Sequence, residues 1–303
     1  MRIELESTGK VALILRLRRF PLFHGVALES LAALAQSARV EHFVDGEAVA
    51  RAGEAWSGLH LSLEGGFGAP IAASEHPDRP ELLGALSVLA DRPLPCAVTA
   101  RGATRALCLP ADVLFEVLED DFSTLLEVLR AVGRLVLSAP IHTGGLPPEP
   151  PPRTPLPALD LVERMFLIQR AFRLTHSSVT SLAETARSAV QVPCDGTRPL
   201  WRAGDAPGEM VVVVAGAVTL QLADGSTRRV GRYGVLGGID VLTGSPRRYD
   251  AWPEPGSAVL WLPAETTMNS FEDHFHVAMG LLAVLSQDAL PAFFRPGAQE
   301  VAA

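Results

Sequence analysis

The sequence repeats itself once over a long period, and this repeat constrains the fold more than any other feature. Residues 51–66 (RAGEAWSGLHLSLEGG) return as residues 202–216 (RAGDAPGEMVVVVAG), an offset of 151 residues between the two Arg-Ala-Gly triplets. The Leu-Gly pair at 83–84 returns at 236–237 at almost the same spacing. Solenoids repeat roughly every 20–50 residues, so a period this long indicates a duplicated domain.

Composition places the chain among ordinary globular proteins. Its 303 residues are 48% hydrophobic and 20% charged, with a formal net charge of −8. That length is sufficient for two domains that each bury a core. The negative charge argues against nonspecific nucleic-acid binding, which needs concentrated lysine and arginine to neutralise phosphate. No apolar span reaches the ~18 residues of a membrane helix, and the N-terminus lacks an export signal. We therefore expect a cytoplasmic protein without a membrane segment.

A proline-rich segment separates the two copies. Residues 147–157 (PPEPPPRTPLP) contain seven prolines. Proline lacks a backbone donor and has a fixed φ, so this stretch is expected to be an extended spacer rather than packed structure. A ligand for an SH3-like partner is the alternative. The predicted domains are residues 1–139 and 158–303, joined by a linker at 140–157.

Each copy shows helical periodicity at both ends and short strands between them. Apolar residues recur at helical spacing at 11–23 and 111–137, whereas residues 59–65 (LHLSLEG) alternate as a strand does. Asp224-Gly225 has the chemistry of a hairpin turn. The predicted fold class is mainly β with flanking α-helices, arranged as two tandem jelly-roll β-barrels.

The order of these motifs resembles that of cyclic-nucleotide-binding domains. This family includes bacterial catabolite-activator-type regulators and protein kinase A regulatory subunits. The resemblance is carried by residues 21–35 (PLFHGVALESLAALA), 45–54 (DGEAVARAGE) and 233–248 (YGVLGGIDVLTGSPRR). It implies a phosphate-binding cassette in each copy. In the family, a short helix offers backbone N–H groups to the cyclic phosphate, an arginine binds the same phosphate, and a glutamate binds the ribose 2′-hydroxyl.

The first cassette, at residues 82–93, departs from this pattern. Gly84 keeps the cassette glycine, but Ala85 stands at the glutamate position and Leu94 at the arginine position. A buried phosphodiester without a cation is costly. The sequence therefore predicts that the first copy does not bind a cyclic nucleotide in the family's manner, although Arg92 lies two residues from the arginine position.

The second cassette keeps more of the pattern. Gly237 keeps the cassette glycine, and Arg247 or Arg248 stands at the arginine position, whereas Gly238 replaces the glutamate. Asp240 could substitute for that glutamate. The alternative interpretation of the two arginines is that they are exposed loop charges that bind no phosphate. cAMP or cGMP is the ligand that the resemblance implies here. The candidate ligand-binding residues are Gly237, Gly238, Ile239, Asp240, Arg247 and Arg248.

Other chemistries are less well supported. His274 and His276 are two apart on a predicted helix and therefore do not face each other. A cupin-type metal enzyme would need several histidines and a carboxylate from strands, and His60 is the only histidine in a clear strand. Three cysteines without a C-x-x-C pair indicate neither a disulfide framework nor a zinc knuckle, and redox sensing by Cys96 and Cys108 is the minor alternative. We predict no metal and no catalytic residues.

The resulting hypothesis is a non-enzymatic regulatory or sensor protein that acts through protein–protein contacts. At most its second domain binds a nucleotide. A scaffold that binds no nucleotide is the principal alternative, and a cupin-type enzyme is a remote one. We expect no DNA-binding domain of the kind that transcription regulators of this type carry, because few residues follow position 290. The apolar stripe at 281–286 (LLAVLS) could form a homodimer seam or pack within the chain.

Overall fold

The computed structural model describes residues 7–68, 82–138, 145–152, 156–174 and 178–293. The chain divides into two compact units. Unit 1 comprises Met1–Ala139 and Leu282–Ala303, and unit 2 comprises Pro140–Leu281. The division counts the linker with unit 2 and the end of the C-terminal helix with unit 1. The domain boundaries predicted from the sequence instead keep the linker separate and place that helix in the second domain.

Unit 1 is one antiparallel sheet with helices before and after it. The strands are β1 (Arg39–Phe43), β2 (Ala48–Ala50), β3 (Gly58–Gly68), β4 (Leu82–Leu83) and β5 (Val98–Pro110). They lie in the order β1-β5-β3-β4, and β2 also pairs with β5. The helices are α1 (Ser7–Leu17), α2 (Leu28–Ser37), α3 (Ala85–Ala90), α4 (Ala111–Asp120) and α5 (Phe122–Ser138), with a 3-10 turn at Pro21–Phe23.

Unit 2 follows the same order of elements. Its helices are α6 (Leu161–Ala171), α7 (Val179–Ser188), α8 (Gly238–Thr243), α9 (Ala264–Asp273) and the first part of α10 (Phe275–Phe293), a helix whose residues from Leu282 onward belong to unit 1. Its strands are β6 (Val190–Pro193), β7 (Glu209–Ala215), β8 (Val218–Leu222), β9 (Thr227–Val230), β10 (Val235–Leu236), β11 (Tyr249–Pro253) and β12 (Ala258–Pro263). They form two antiparallel sheets, β10-β7-β12-β6 and β11-β8-β9.

The interior of unit 2 lies where these two sheets share side chains. Val211 and Val213 of one sheet and Val218 and Leu220 of the other belong to one buried cluster. The four consecutive valines of β7 are all buried, so both faces of this strand are covered, and Val211 and Val213 face the second sheet. Antiparallel sheets flanked by helices confirm the predicted fold class. Among the strands described, no ring of pairing closes into a barrel, so the tandem jelly-roll barrels remain a prediction.

The proline-rich linker differs from the predicted free spacer. Residues 145–152 form neither helix nor strand, and they lie against unit 2. The Leu146 N–H donates to the Arg232 carbonyl at 2.8 Å. A Cβ on Gly231 would lie 2.6 Å from the Leu146 carbonyl oxygen and 2.9 Å from Pro148 Cα. The linker backbone can approach this closely because Gly231 has no side chain.

Among the helices that the structure describes, none is long and apolar enough to cross a membrane.

The junction between α4 and α5 is held by a carboxylate. Asp121 accepts hydrogen bonds from the Ser123 N–H at 3.0 Å, the Ser123 hydroxyl at 2.6 Å and the Thr124 hydroxyl at 2.6 Å. The Ser30 hydroxyl, from α2, donates to it at 3.2 Å. These hydrogen bonds, the one from the Ser123 hydroxyl foremost, lower the pKa of Asp121 to about 2. The carboxylate thus begins α5 and ties it to α2.

We predict that Asp121→Ala lowers the free energy of unfolding by about 1 kcal/mol at neutral pH, the usual cost of losing a helix cap. Because the folded-state pKa lies below the ordinary 3.8, the stabilisation is present above pH 3.8 and is lost as the pH falls towards 2. Urea unfolding of both proteins at pH 7 and pH 2.5 measures the difference, with Asp120→Ala, an exposed neighbour, as control. Equal stability of wild type and Asp121→Ala at pH 7 would contradict the assignment.

Candidate functional site

The second cassette is a glycine turn followed by one short helix. Strand β10 ends at Leu236, Gly237 adopts a left-handed φ of +73°, and α8 begins at Gly238. Gly244, with a φ of +67°, ends the helix. A Cβ on Gly237 would lie 2.1 Å from Arg247 Nη1. Gly237 is therefore required twice, for its backbone conformation and for the space that the arginine occupies.

The side chain of Arg247 points into unit 2 and is fully buried. Its Nη1 donates to the Gly237 carbonyl at 3.1 Å, and its Nη2 donates to the Glu209 carbonyl and lies 3.3 Å from Glu209 Oε1. The guanidinium carbon lies 4.1 Å from the ring centroid of Trp201. The arginine thus contacts the cassette backbone directly. A phosphate between them would require these bonds to break.

Asp240 and Arg248 form a second charged contact at the cassette. Asp240 is buried, and its Oδ1 accepts from Arg248 Nε at 3.3 Å. Its Oδ2 has no hydrogen-bond partner and lies 3.9 Å from Arg247 Nη1. Burial raises the pKa of Asp240, against the lowering effects of Arg248 and then Arg247. The Asp240 carboxylate therefore lies close to Arg247 and Arg248, the two arginines that the sequence predicts as candidate phosphate ligands.

The remaining cassette residues provide fewer groups that could bind a ligand. Gly238, at the glutamate position, and Ile239 are half-buried at the start of α8, and neither supplies a polar side chain. The Gly237 N–H donates to the hydroxyl oxygen of Tyr249 at 3.1 Å. Burial is the main reason that the pKa of this hydroxyl rises to about 12. One of the backbone donors that could face a ligand is thus already used inside the protein.

The first cassette has the same backbone and an apolar interior. Gly84 adopts a φ of +88°, and every residue of α3 is buried. Leu94 is only 1% exposed and packs in a cluster with Phe67 and Leu83. A Cβ on Gly84 would lie 2.6 Å from Trp56, which packs against the same cluster. Ala85 and Leu94 therefore bring no hydrogen-bonding group to the place where the resemblance expects phosphate.

The two cassettes correspond residue by residue. The Gly53 N–H donates to the Leu94 carbonyl at 2.9 Å, and the Gly204 N–H donates to the Arg247 carbonyl at 2.8 Å. Both glycines belong to the repeated Arg-Ala-Gly triplet. This shared geometry supports the sequence-based alignment of Leu94 with Arg247. The duplicated backbone holds a leucine in one copy and a buried cation in the other.

Sequence reasoning missed the side chains that hold this cassette. Trp201 stacks on Arg247, Glu209 binds it, and Tyr249 satisfies the glycine turn. Trp201 directly precedes the second Arg-Ala-Gly triplet, and Glu209 begins β7. Their roles depend on cross-strand proximity, for which the sequence carries no local signal.

The other residues weighed from sequence have structural partners. His274 Nε2 lies 2.8 Å from Glu184 Oε2, which pairs it with α7. Burial raises the pKa of Cys96 and Cys194, and it is the main reason that the pKa of Cys108 rises to about 11. A raised pKa makes a thiol less ready to ionise and react, which disfavours the redox-sensing alternative.

No family model and no curated protein matches the chain. Solved structures are similar to it. The cAMP-bound regulatory domain of Toxoplasma gondii protein kinase A shares 14% identity over 94% of this chain and 98% of its own, with a TM-score of 0.35. The regulatory subunit of a cAMP-independent protein kinase A from Trypanosoma brucei also shares 14% identity, over 94% of this chain and 90% of its own, with a TM-score of 0.35.

A single-domain structure is similar as well. The sensor domain of the transcriptional regulator DNR from Pseudomonas aeruginosa shares 19% identity over 41% of this chain and 91% of its own, with a TM-score of 0.36. These proteins are of the type that the sequence resembles.

We predict that Arg247→Met lowers the free energy of unfolding by about 3 kcal/mol or more, because it leaves Glu209 and Asp240 without a buried cation. Arg228→Met, at an exposed position of β9, is the matched control and should change stability by less than about 0.5 kcal/mol. Urea unfolding of the full chain measures both. If Arg247→Met lowered the free energy of unfolding as little as Arg228→Met does, Arg247 would not stabilise the cassette and would be free for another role.

Proposed function

We propose that this chain is a non-enzymatic regulatory protein of the cyclic-nucleotide-binding-domain type that acts through protein–protein contacts without a bound nucleotide. The observation that carries the proposal is the burial of Arg247. The cation that the family uses for phosphate is bound here to Glu209 and Gly237 and covered by Trp201. In unit 1, Leu94 replaces that cation altogether. The domain assignment of residues 1–139 and 158–303, with a linker at 140–157, belongs to this proposal, as does a cytoplasmic location.

A cyclic nucleotide would have to displace the protein groups that already bind the Arg247 guanidinium. Hydrogen bonds to charged groups contribute about 1.5–3 kcal/mol each, so a phosphate gains little by replacing the Glu209 and Gly237 oxygens around the same guanidinium. The ribose would also lack the family's glutamate, because Gly238 stands there. One observation favours a ligand-operated site instead. Asp240 Oδ2 is buried without a hydrogen-bond partner and could accept from a ribose hydroxyl.

An exposed apolar surface on unit 2 supports the protein-contact part of the proposal. On α6, Val162 is 56% and Phe166 is 66% exposed. Phe166 borders a groove of 640 Å³ that Arg170 and Arg232 also line. The guanidinium carbons of these two arginines lie 5.3 Å and 4.8 Å from the Tyr233 ring centroid. Aromatic and arginine side chains dominate protein interfaces. This surface fits a partner segment that carries apolar and acidic side chains.

The C-terminal helix is less suited to the homodimer seam considered from sequence. In its apolar stripe, Leu282, Leu285 and Ser286 are buried within the chain. Packing inside one chain therefore accounts for the pattern, and the homodimer remains a prediction without support from these side chains.

Calorimetric titration of the full chain with cAMP, cGMP and cyclic dinucleotides tests the nucleotide part. We expect no heat and no thermal shift at millimolar ligand, because Arg247 is already bound. Micromolar binding that Arg247→Met removes and Arg228→Met retains would overturn the proposal in favour of a ligand-operated switch. Binding that survives Arg247→Met would overturn it too and would place the ligand elsewhere.

Cross-linking in cells tests the partner surface. We expect Phe166→Glu to lose a cross-linked partner that wild type retains, because the substitution places an anion on the apolar surface. Val179→Glu, at a 74% exposed position of α7, is the matched control and should retain it. The partner is then identified and its affinity for both purified variants is measured. Equal affinities for the two variants would exclude this surface.

A further inference from the structure

Three potential metal ligands meet on one face of the unit 1 sheet. Glu41 lies on β1, Cys108 on β5 and His60 on β3, and these are neighbouring strands. Cys108 is directly opposite His60 in one ladder and opposite Arg39, two residues before Glu41, in the other. Opposed residues, and residues two apart in a strand, point to the same side of a sheet. The register therefore brings all three side chains together.

This face points to the interior of unit 1. Leu83, directly opposite His60 on β4, belongs to the apolar cluster. Trp56 stacks on the imidazole of His60, with ring centroids 5.1 Å apart and planes 19° apart. The imidazole is thus fixed in orientation. The side chain of Glu41 is 42% exposed, which leaves a path from solvent to the cluster.

The distances suit a small transition-metal ion. One ligand atom from each of the three residues lies within 4.8 Å of the other two, and Glu41 Oε2 is 3.1 Å from His60 Nε2. Zinc bonds of about 2.0–2.3 Å place tetrahedral ligand atoms roughly 3.3–3.8 Å apart. The ligand atoms would have to move closer together to bind one ion.

The chemistry of the donor set favours the same class of ion. His60 is only 6% exposed, its Nε2 is hydrogen-bonded to Glu41 Oε2, and its Nδ1 is buried without a hydrogen-bond partner. A thiolate and an imidazole select zinc-like ions over Mg²⁺ and Ca²⁺, which prefer oxygen. One thiolate and one carboxylate also balance the charge of a divalent cation.

We propose that Glu41, His60 and Cys108 bind a zinc-like divalent transition-metal ion inside unit 1. The prediction from sequence is no metal, because only His60 stands in a clear strand there. On binding, the Cys108 sulfur forms a bond to the metal and its proton leaves to solvent, with no change of oxidation state. Three protein ligands leave a fourth position for water or an exogenous ligand. The site is independent of the nucleotide question in unit 2.

Cobalt substitution of the full chain tests the site, because Co²⁺ bound to a thiolate absorbs light through sulfur-to-metal charge transfer. The chain is stripped with a chelator and titrated with Co²⁺. We expect a charge-transfer band that saturates at one ion per chain and disappears when Zn²⁺ is added. Absence of such a band, with no stoichiometric Zn²⁺ uptake in a chelator competition, would overturn the proposal.

Matched variants locate the ion. Cys108→Ser should abolish the band, and Glu41→Gln should weaken binding about tenfold or more. Cys96→Ser, in the same unit, and Cys194→Ser, in unit 2, should retain it. A band that persists in Cys108→Ser, or that is lost equally in Cys194→Ser, would exclude the site. If Cys108→Ser does not fold, the partly exposed Glu41→Gln decides, and unchanged affinity there would overturn the assignment.

Discussion

The interior of unit 2 depends on one buried cation. Arg247 joins the cassette to β7 through Glu209 and Gly237, and Trp201 covers its guanidinium. A buried arginine is costly unless partners balance its charge and accept from its donors. Both terminal nitrogens of Arg247 have such partners, whereas its Nε is buried without one. The surrounding groups supply carbonyl oxygens, two carboxylates and an aromatic face, and the glycine turn leaves the space for its Nη1. Arg247 therefore stabilises the interior of unit 2, whereas the resemblance noted in the sequence implied a phosphate-binding role for it.

Unit 1 shows that the same backbone accommodates another interior. Leu94 occupies the position of the arginine and packs against Phe67 and Leu83, so the cassette is held by apolar contact. Polar chemistry in this unit lies elsewhere, on β1, β5 and β3, where His60 is buried beside Glu41. Duplication preserved the glycine turns and the strand order and left the interior side chains free to diverge. A shared fold therefore does not imply a shared site.

Much of the organisation was predictable because it rests on local residue chemistry. Only glycine adopts the left-handed turns at 84 and 237 without strain, so their recurrence located both cassettes. The prolines located the linker, but its packing did not follow from composition, because that contact requires Gly231 on a distant segment. The predicted sheets and helices were confirmed, whereas barrel closure was not.

The sequence by itself determined the duplication, the position of each cassette and the absence of polar anchors at Ala85 and Leu94. Each of these follows from residue type and spacing. Only the tertiary structure decided that Arg247 turns inward and that the His60 imidazole lies beside Glu41 and Cys108. Side-chain direction and cross-strand register depend on contacts between residues far apart in the chain, and local sequence does not encode those contacts.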